Sequence, residues 1–431
     1  MKASLQLLPF FASLLLGHRG LSHAEICGLE HSTIPVGSPV CLIDPSYTVF
    51  GKNSSRARRH SWTHSSPCSH GEWSEQPICV FTDAIFAGER GISLVTTPQR
   101  ANYLATTPAF VEPAVLEGIN RGLNPAKFEM RAIPGKGMGL IATAYIQRGD
   151  LLMAENPSLM VDYRAFNELT KVQYTSLQGH AVSNLPSSHS AIVLNLSAHT
   201  TDTSHLTLEE HVDLIASTNC FDIDPDEGDE DQHNSFYSLF PAIARFNHDC
   251  RPNADYVFSH RTLAQYIYAA RDIAPGEELT ISYINPLMSR AERQGRLKQW
   301  GFECACPLCT LDGARREESD KRIETIKKLH EELRNWGRES RACPEMAELL
   351  VGLYQMERLD TIMYEAYMFA ALEYNAAGDP WMAVKYARLA VEWGIPMAGP
   401  EDEDMGDLRE LAENPWGHWS WLKRVKQQEE R

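Results

Sequence analysis

The chain has 431 residues, enough for about three domains of roughly 150 residues each. Its apolar fraction of 43% and charged fraction of 23% are ordinary for globular proteins and exclude a disordered, collagen-like or multi-span membrane chain. The 57 Asp and Glu residues outnumber the 40 Lys and Arg residues, and the net charge of −17 favours cationic partners over sequence-independent binding of nucleic acid.

The first predicted element is a secretory signal peptide in residues 1–24. Lys2 is followed by an apolar stretch from Leu5 to Leu16, and small residues precede a cleavage site after Ala24. The apolar stretch has about 12 residues, fewer than the roughly 20 that span a bilayer, so no membrane span is expected. A buried N-terminal helix and an incorrectly assigned start codon are the alternatives.

Residues 25–125 form a second region, rich in Ser, Pro, Gly and Thr, with cysteines at Cys27, Cys41, Cys68 and Cys79. After a signal peptide, four cysteines predict two disulfides, with three possible pairings. A four-cysteine metal site is the alternative, although these spacings lack the short paired intervals of metal ligands. Residues 86–96 echo a later glycine turn at residues 135–143, which reflects either an additional sheet or a chance similarity.

From about residue 126 the pattern predicts a β-hairpin. Phe128 to Ala132 alternate as in a strand, residues 134–139 contain three glycines, and residues 140–143 predict the returning strand. A glycine turn lets backbone groups approach a ligand closely, although most such turns only reverse the chain.

An insert follows this hairpin. Residues 205–217 place apolar side chains at helical spacing and predict a helix. Residues 222–231 contain seven acidic residues in ten, which predicts a solvated loop or, alternatively, a surface that attracts a lysine-rich segment by electrostatic steering.

Three motifs whose residue types suit ligand binding or catalysis come next. Residues 247–253 place an amide, an imidazole and a thiol within four positions, ahead of Pro252. Residues 276–283 predict a turn and a strand that ends at Tyr283. The thiols of Cys304, Cys306 and Cys309 then lie within six residues, which predicts a zinc site. Cys250 is the obvious fourth ligand that a tetrahedral site requires.

Residues 312–431 predict a helical region. Ile323, Ile326 and Leu333 mark one amphipathic helix. Aromatic and small residues at 367–374 and 383–390 flank Gly378 and predict a helical hairpin similar to a tetratricopeptide unit. Because one hairpin is not an array, we expect it to pack on the central domain. Cys220 and Cys343 are expected to be buried thiols.

The glycine turn, residues 247–253, residues 276–283 and the late cysteines occur in the order typical of SET-domain methyltransferases. The chain resembles the branch that includes fungal SET proteins and SET-and-MYND proteins, over residues 126–311. The insert at about 160–238 contains no MYND zinc module. The resemblance implies an α+β fold, with small twisted β-sheets, a pseudoknot-like crossing, a helical insert, a post-SET zinc site and a C-terminal helical arm.

The same resemblance implies methyl transfer from S-adenosylmethionine to a lysine side chain. Tyr283 matches the tyrosine at the transfer centre. The resemblance also implies that Trp300 forms a wall of the substrate channel, at a position where relatives often carry tyrosine. The implied cofactor-binding residues are Lys136, Gly137, Met138, Asn219, Asn247, His248 and Phe302. A structural zinc ion is implied at Cys250, Cys304, Cys306 and Cys309.

The expected partner is a lysine-containing protein or peptide, histone or non-histone, without direct nucleic-acid binding. A non-catalytic SET module that binds lysine-bearing segments or acts as a scaffold is the alternative function. The signal peptide predicts the secretory pathway, whereas the family resemblance favours the nucleus or cytoplasm.

Overall fold

A computed structural model describes residues 62–72, 74–121, 127–198, 200, 203–225 and 235–429. The predicted signal peptide, Cys27, Cys41 and residues 226–231 of the acidic segment lie outside the described residues. Among the helices that the structure describes, none combines the length and the apolar character needed to cross a bilayer.

The described residues form strands and helices in an α+β arrangement. The strands are β1 Cys68–Ser69, β2 Ile78–Asp83, β3 Ile92–Thr96, β4 Phe128–Ile133, β5 Gly137–Ala142, β6 Leu151–Glu155, β7 Leu159–Asp162, β8 Phe221–Ile223, β9 Phe236–Leu239, β10 Asn247–His248, β11 Ala254–Ser259, β12 Ala264–Ala269 and β13 Glu278–Ile281. The helices are α1 Phe86–Glu89, α2 Pro98–Leu104, α3 Pro108–Val111, α4 Tyr163–Glu168, α5 Lys171–Ser183, α6 Ser187–Leu194, α7 Leu208–Asn219, α8 Arg290–Leu297, α9 Gly313–Arg334, α10 Pro344–Glu357, α11 Met363–Ala377, α12 Pro380–Ala398, α13 Glu403–Glu413 and α14 Lys423–Glu429.

The largest sheet joins the N-terminal region to the central one. Its strand order is β1-β2-β3-β7-β9-β8, with β3 and β7 parallel through the pairs Ser93 to Leu159 and Val95 to Val161. Strand β3 belongs to the segment that echoes the glycine turn, so that segment contributes additional sheet. Arg100 of α2 strengthens this junction, since its guanidinium lies 2.9 Å from the buried carboxylate of Asp162.

Two smaller sheets complete the β structure. One has the order β10-β13-β5-β4 and the other β11-β12-β6. The pair β10 and β13 is parallel, with Asn247 opposite Thr280 and His248 opposite Ile281. Buried Asn253 fixes this crossing, because its amide donates to Glu278 O at 2.9 Å and its oxygen accepts from Thr280 N at 2.9 Å. The strands predicted around residues 128–143 are confirmed as β4 and β5.

The helical insert and the C-terminal arm follow the predicted patterns. Helices α4 to α7 lie between β7 and β8, and the helix predicted at 205–217 is α7, capped by the Thr207 hydroxyl. In the arm, α11 and α12 form the predicted hairpin around Gly378, whose φ of 88° favours glycine. Small residues fill the seam, where Ala370, Ala371 and Ala387 are fully buried.

A buried carboxylate holds the arm to the central domain. Glu357, at the end of α10, accepts from Arg251 Nη2 at 2.8 Å, Arg322 Nε at 2.6 Å and Ser319 Oγ at 2.9 Å. Arg251 also donates to the carbonyl of Cys250 at 2.7 Å. Arg251 therefore joins the arm to the segment that contains Cys250, and the arm packs on the central domain as predicted.

The remaining cysteines take different roles. Cys68 and Cys79 are opposite each other on β1 and β2 and form a disulfide. Because these two sulfurs are bonded to each other, they do not act as ligands in the four-cysteine metal site that was the alternative. Cys220 is buried, as predicted, whereas Cys343 is only half-buried because it precedes α10 at its N-terminal boundary.

Candidate functional site

The four-stranded sheet brings the predicted site residues together. Strand β5 begins at Gly137, directly after the turn from β4, and the φ of Gly137, 78°, lies in the left-handed region. Strand β5 pairs with β13, and β13 pairs with β10, which contains Asn247 and His248. Tyr283 follows β13 by two residues. Three motifs that are distant in sequence are thus placed at neighbouring positions of one sheet.

Asn247 is bonded to the glycine hairpin. Its amide donates to Met138 O at 3.3 Å and to Glu278 Oε1 at 2.9 Å, and Lys136 Nζ donates to Glu278 Oε2 at 2.6 Å. A Cβ added to Gly139 would lie 2.6 Å from Asn247 Nδ2. Only glycine therefore allows this close approach between the hairpin and the Asn247 side chain.

His248 connects the site to the cysteine cluster. Its Nδ1 accepts from Tyr283 N at 3.1 Å, and its Nε2 lies 3.3 Å from Cys250 Sγ. Its ring centroid is 5.3 Å from that of Tyr283 and 6.2 Å from that of half-buried Phe302. The buried imidazole is therefore fixed in orientation by a backbone N–H and a thiol.

Tyr283 and Trp300 form a buried aromatic pair, with ring centroids 5.7 Å apart. The Tyr283 hydroxyl donates to Phe246 O at 2.7 Å. Burial raises the pKa of Tyr283 above its ordinary range, so the phenol is a neutral donor at pH 7. Trp300 is 5% exposed, and its indole N–H has no acceptor among the described residues. A bound ligand or water is needed to satisfy this donor.

Asn219 lies at the end of α7, in the insert. Its amide donates to Ser197 O and Ile215 O, both at 2.8 Å. Arg245 donates to Asn195 O at 2.9 Å, which joins the same loop to the segment that enters β10. The loop at residues 195–197 therefore joins the end of α7, which carries Asn219, to the segment that leads to Asn247. The Asn219 amide itself is hydrogen-bonded to this loop and to α7.

The four predicted zinc ligands form a buried cluster. The sulfurs of Cys250, Cys304, Cys306 and Cys309 all lie within 4.8 Å of one another. Sulfur separations of 3.9 Å for Cys250 to Cys304 and 3.5 Å for Cys250 to Cys309 are close to the roughly 3.8 Å of a tetrahedron with Zn–S bonds of about 2.3 Å. Hydrogen bonds among the four sulfurs lower the pKa of Cys306 and raise that of Cys250, so the cluster shares its protons. The geometry and chemistry both fit zinc.

A buried ion pair braces the segment that enters the site. Arg90 Nη2 lies 2.8 Å from Glu155 Oε1, and Glu155 Oε2 accepts from the backbone N–H groups of Ala242 at 2.9 Å and Ile243 at 3.0 Å. These donors begin the 3₁₀ turn that leads through Phe246 to Asn247. We call the Arg90–Glu155 pair the Glu155 brace. It bonds the N-terminal region to the segment that positions Asn247.

The sequence alone did not predict the roles of several of these residues. Glu278 lay within a recognised motif, but its role depends on partners 31 and 142 residues away in sequence. Arg90 lay in the echo segment, and no local signal identified Glu155 as its partner. The one sequence signal for a buried pair is a charged residue at the end of an otherwise apolar strand, which is Glu155 in Leu151–Glu155.

Comparisons with known proteins support this arrangement. Residues 137–284 match the family model described as the SET domain. A histone-lysine N-methyltransferase set5 of Schizosaccharomyces pombe is 29% identical over 215 residues, which cover 47% of this chain and 58% of that protein. The histone-lysine N-methyltransferase SMYD3 of Homo sapiens is 37% identical over 106 residues, which cover 23% of this chain and 24% of that protein.

A histone-lysine N-methyltransferase SET5 of Scheffersomyces stipitis is 36% identical over 114 residues, which cover 26% of this chain and 21% of that protein. The chain therefore spans less than two thirds of the length of each of these relatives.

Proposed function

Because residues 137–284 form a SET domain, we propose that the protein is an S-adenosylmethionine-dependent protein-lysine N-methyltransferase. The observation that carries the proposal is the convergence of the glycine hairpin, the Asn247–His248 strand and Tyr283 on one sheet. The names of the relatives, which are lysine methyltransferases, support the same activity.

The cofactor-binding residues we propose are the hairpin residues Lys136, Gly137 and Met138 together with Asn219, Asn247, His248 and Phe302. The contact of Gly139 with Asn247 and the unpartnered Trp300 N–H support a ligand-binding cradle at this place. When bound there, S-adenosylmethionine would supply a methyl group that is already activated on a sulfonium.

The protein's task is then to align a neutral lysine amine with that methyl group. A lysine in water at pH 7 is more than about 99.9% protonated, given its reference pKa of about 10.4. The buried pair Tyr283 and Trp300 excludes water and thereby favours the neutral amine. Phe246 O fixes the Tyr283 hydroxyl so that its oxygen can orient the amine by accepting one of its N–H groups.

The decisive experiment combines calorimetric binding of S-adenosylmethionine with labelled-methyl transfer to a library of lysine-containing peptides and histones. We expect Tyr283→Phe to keep its cofactor affinity and to lose transfer on the order of 100-fold, the usual effect of removing one positioned polar group from a transition state. The matched control Tyr103→Phe, at a tyrosine that is 49% exposed, should retain full transfer.

Two outcomes would count against the proposal. Failure of the protein to bind S-adenosylmethionine would remove its basis. Cofactor binding without transfer to any tested protein would favour the alternative of a non-catalytic module that binds lysine-bearing segments or acts as a scaffold.

We further propose that the four-cysteine cluster holds a structural zinc ion. Four thiolates complete a tetrahedral site and leave no position for substrate, so the metal would stabilise the segment that carries Trp300 and Phe302. The contact of His248 with Cys250 supports a mechanical link between this metal and the cofactor site.

The secretory route predicted from residues 1–24 stays a prediction. The Cys68–Cys79 disulfide is consistent with an oxidising lumen, in which bound zinc would have to protect the four clustered thiolates. N-terminal sequencing of the native protein, with a test for glycosylation, distinguishes this route from the nucleus or cytoplasm.

A further inference from the structure

A cavity of about 380 Å³ lies in the C-terminal arm, between the loop after α9 and helix α14. None of the residues proposed for methyl transfer lines it. Its lining combines three aromatic side chains with three cationic ones, namely Trp336, Trp419, Trp421, Arg338, Lys423 and Lys426. A concave surface with aromatic walls and a few converging charged groups is the usual form of a binding site.

The aromatic walls are held from outside the cavity. Trp336 and Trp419 meet edge to face, with ring centroids 5.1 Å apart. The guanidinium of Arg424 lies 4.0 Å from the ring centroid of Trp336 and is fixed by its buried ion pair with Glu373, at 2.6 Å. The Trp419 indole N–H donates to both carboxylate oxygens of Asp407, at 3.1 Å each. The walls are therefore preformed, which lowers the entropic cost of binding a ligand.

The charge at the opening is opposite in sign to that of the whole chain. Arg338 and Lys426 are exposed, and Lys423 Nζ lies 5.3 Å from the Trp419 ring centroid. No carboxylate is among the described residues that line the cavity. The carboxylates around it include Glu339, which lies against Gly337, Asp407, which is bonded to Trp419, and Glu373, which is paired with Arg424. The lining itself is therefore cationic on a protein with a net charge of −17, and it favours anionic ligands.

We propose that this cavity is a docking site for an acidic peptide segment of a partner protein, with an aromatic side chain of that segment packed against the tryptophan rings that line the cavity. Tryptophan and arginine are the residues that most often carry binding energy at interfaces. The carboxylates that flank the inserted side chain pair with Lys423 and Lys426. The partner is distinct from the lysine-bearing substrate, because its charge is opposite, so the docking site goes beyond the proposed catalytic function.

The test measures fluorescence anisotropy of a fluorescein-labelled peptide, Glu-Asp-Phe-Glu-Asp-Phe-Glu, titrated with the full chain. We expect saturable binding that weakens as salt is raised, since both partners are charged. The double variant Lys423→Glu/Lys426→Glu should bind at least about tenfold more weakly, a loss of about 1.4 kcal/mol. Replacing both phenylalanines of the peptide by serine should weaken binding similarly.

The matched control is Lys321→Glu/Lys385→Glu, which reverses two exposed lysines elsewhere in the same arm and should bind the peptide like the unmodified protein. Unchanged melting temperatures verify that all variants fold. Equal binding by both double variants, or no binding at about 1 mM protein, would overturn the proposal. Displacement of the peptide by an equimolar nucleotide would also overturn it, since it would identify the site as one for phosphate ligands.

Discussion

Cys306→Ser is expected to lose bound zinc and, together with it, affinity for S-adenosylmethionine. Structural zinc in small domains contributes about 10–16 kcal/mol of apparent binding free energy, comparable to the whole stability of a typical fold, about 5–15 kcal/mol. Serine removes one of four sulfurs that lie within 4.8 Å of one another. Because His248 contacts Cys250 and Tyr283 N, the loss should disorder the cofactor site as well.

Metal content of the purified variant and calorimetric titration with the cofactor measure the two losses. Cys343→Ser is the matched control, since Cys343 is half-buried and outside the cluster. It should keep one equivalent of zinc and full cofactor affinity. A Cys306→Ser protein that retained both properties would refute the zinc assignment.

Arg90→Met is expected to destabilise the protein by about 3–5 kcal/mol, because it leaves the buried Glu155 without its cation. The second oxygen of Glu155 anchors the N–H groups of Ala242 and Ile243, so cofactor affinity should fall as well, by about tenfold. Denaturant unfolding and calorimetric titration measure these effects. Arg131→Met, at an exposed arginine, is the matched control and should show neither.

The pH dependence gives this prediction a defined sign. Burial raises the pKa of Glu155 above its ordinary value, and removal of Arg90 takes away the largest opposing influence. The stability of the variant is then full below the unfolded pKa of Glu155, near 4.5, and falls as pH rises through the folded pKa. The loss of unfolding free energy caused by Arg90→Met should therefore be smaller near pH 4.5 than at pH 7. The double variant Arg90→Met/Glu155→Gln should recover stability at pH 7. A cost that did not depend on pH would contradict the Glu155 brace.

The motifs of the proposed site could be identified in the sequence because their signals are local. The glycine hairpin and the late cysteines each lie within about ten residues, and their residue types indicate both turn geometry and ligand chemistry. A tetrahedral zinc site requires a fourth ligand, for which Cys250 was the candidate, and its sulfur lies in one cluster with the other three. The amphipathic patterns of the arm likewise predicted the α11–α12 hairpin.

The N-terminal region was harder to predict because its partners are distant. The parallel pairing of β3 with β7 joins Ser93 to Leu159, and periodicity within either strand does not identify its neighbour. Residues 78–83 are buried throughout, although they lie in a region rich in Ser, Pro, Gly and Thr. The ion pairs of Arg90 and Arg100 similarly join residues that are 65 and 62 positions apart.

The ion pair between Arg251 and Glu357 also sets an order of events during protein synthesis. The two residues are 106 positions apart, and a ribosome that adds about 5–20 residues per second needs roughly 5–20 s to pass from one to the other. During that interval the nascent chain contains the arginine beside Cys250 but not the carboxylate that neutralises it. The central domain therefore cannot complete its packing until α10 has been made and has emerged from the ribosome.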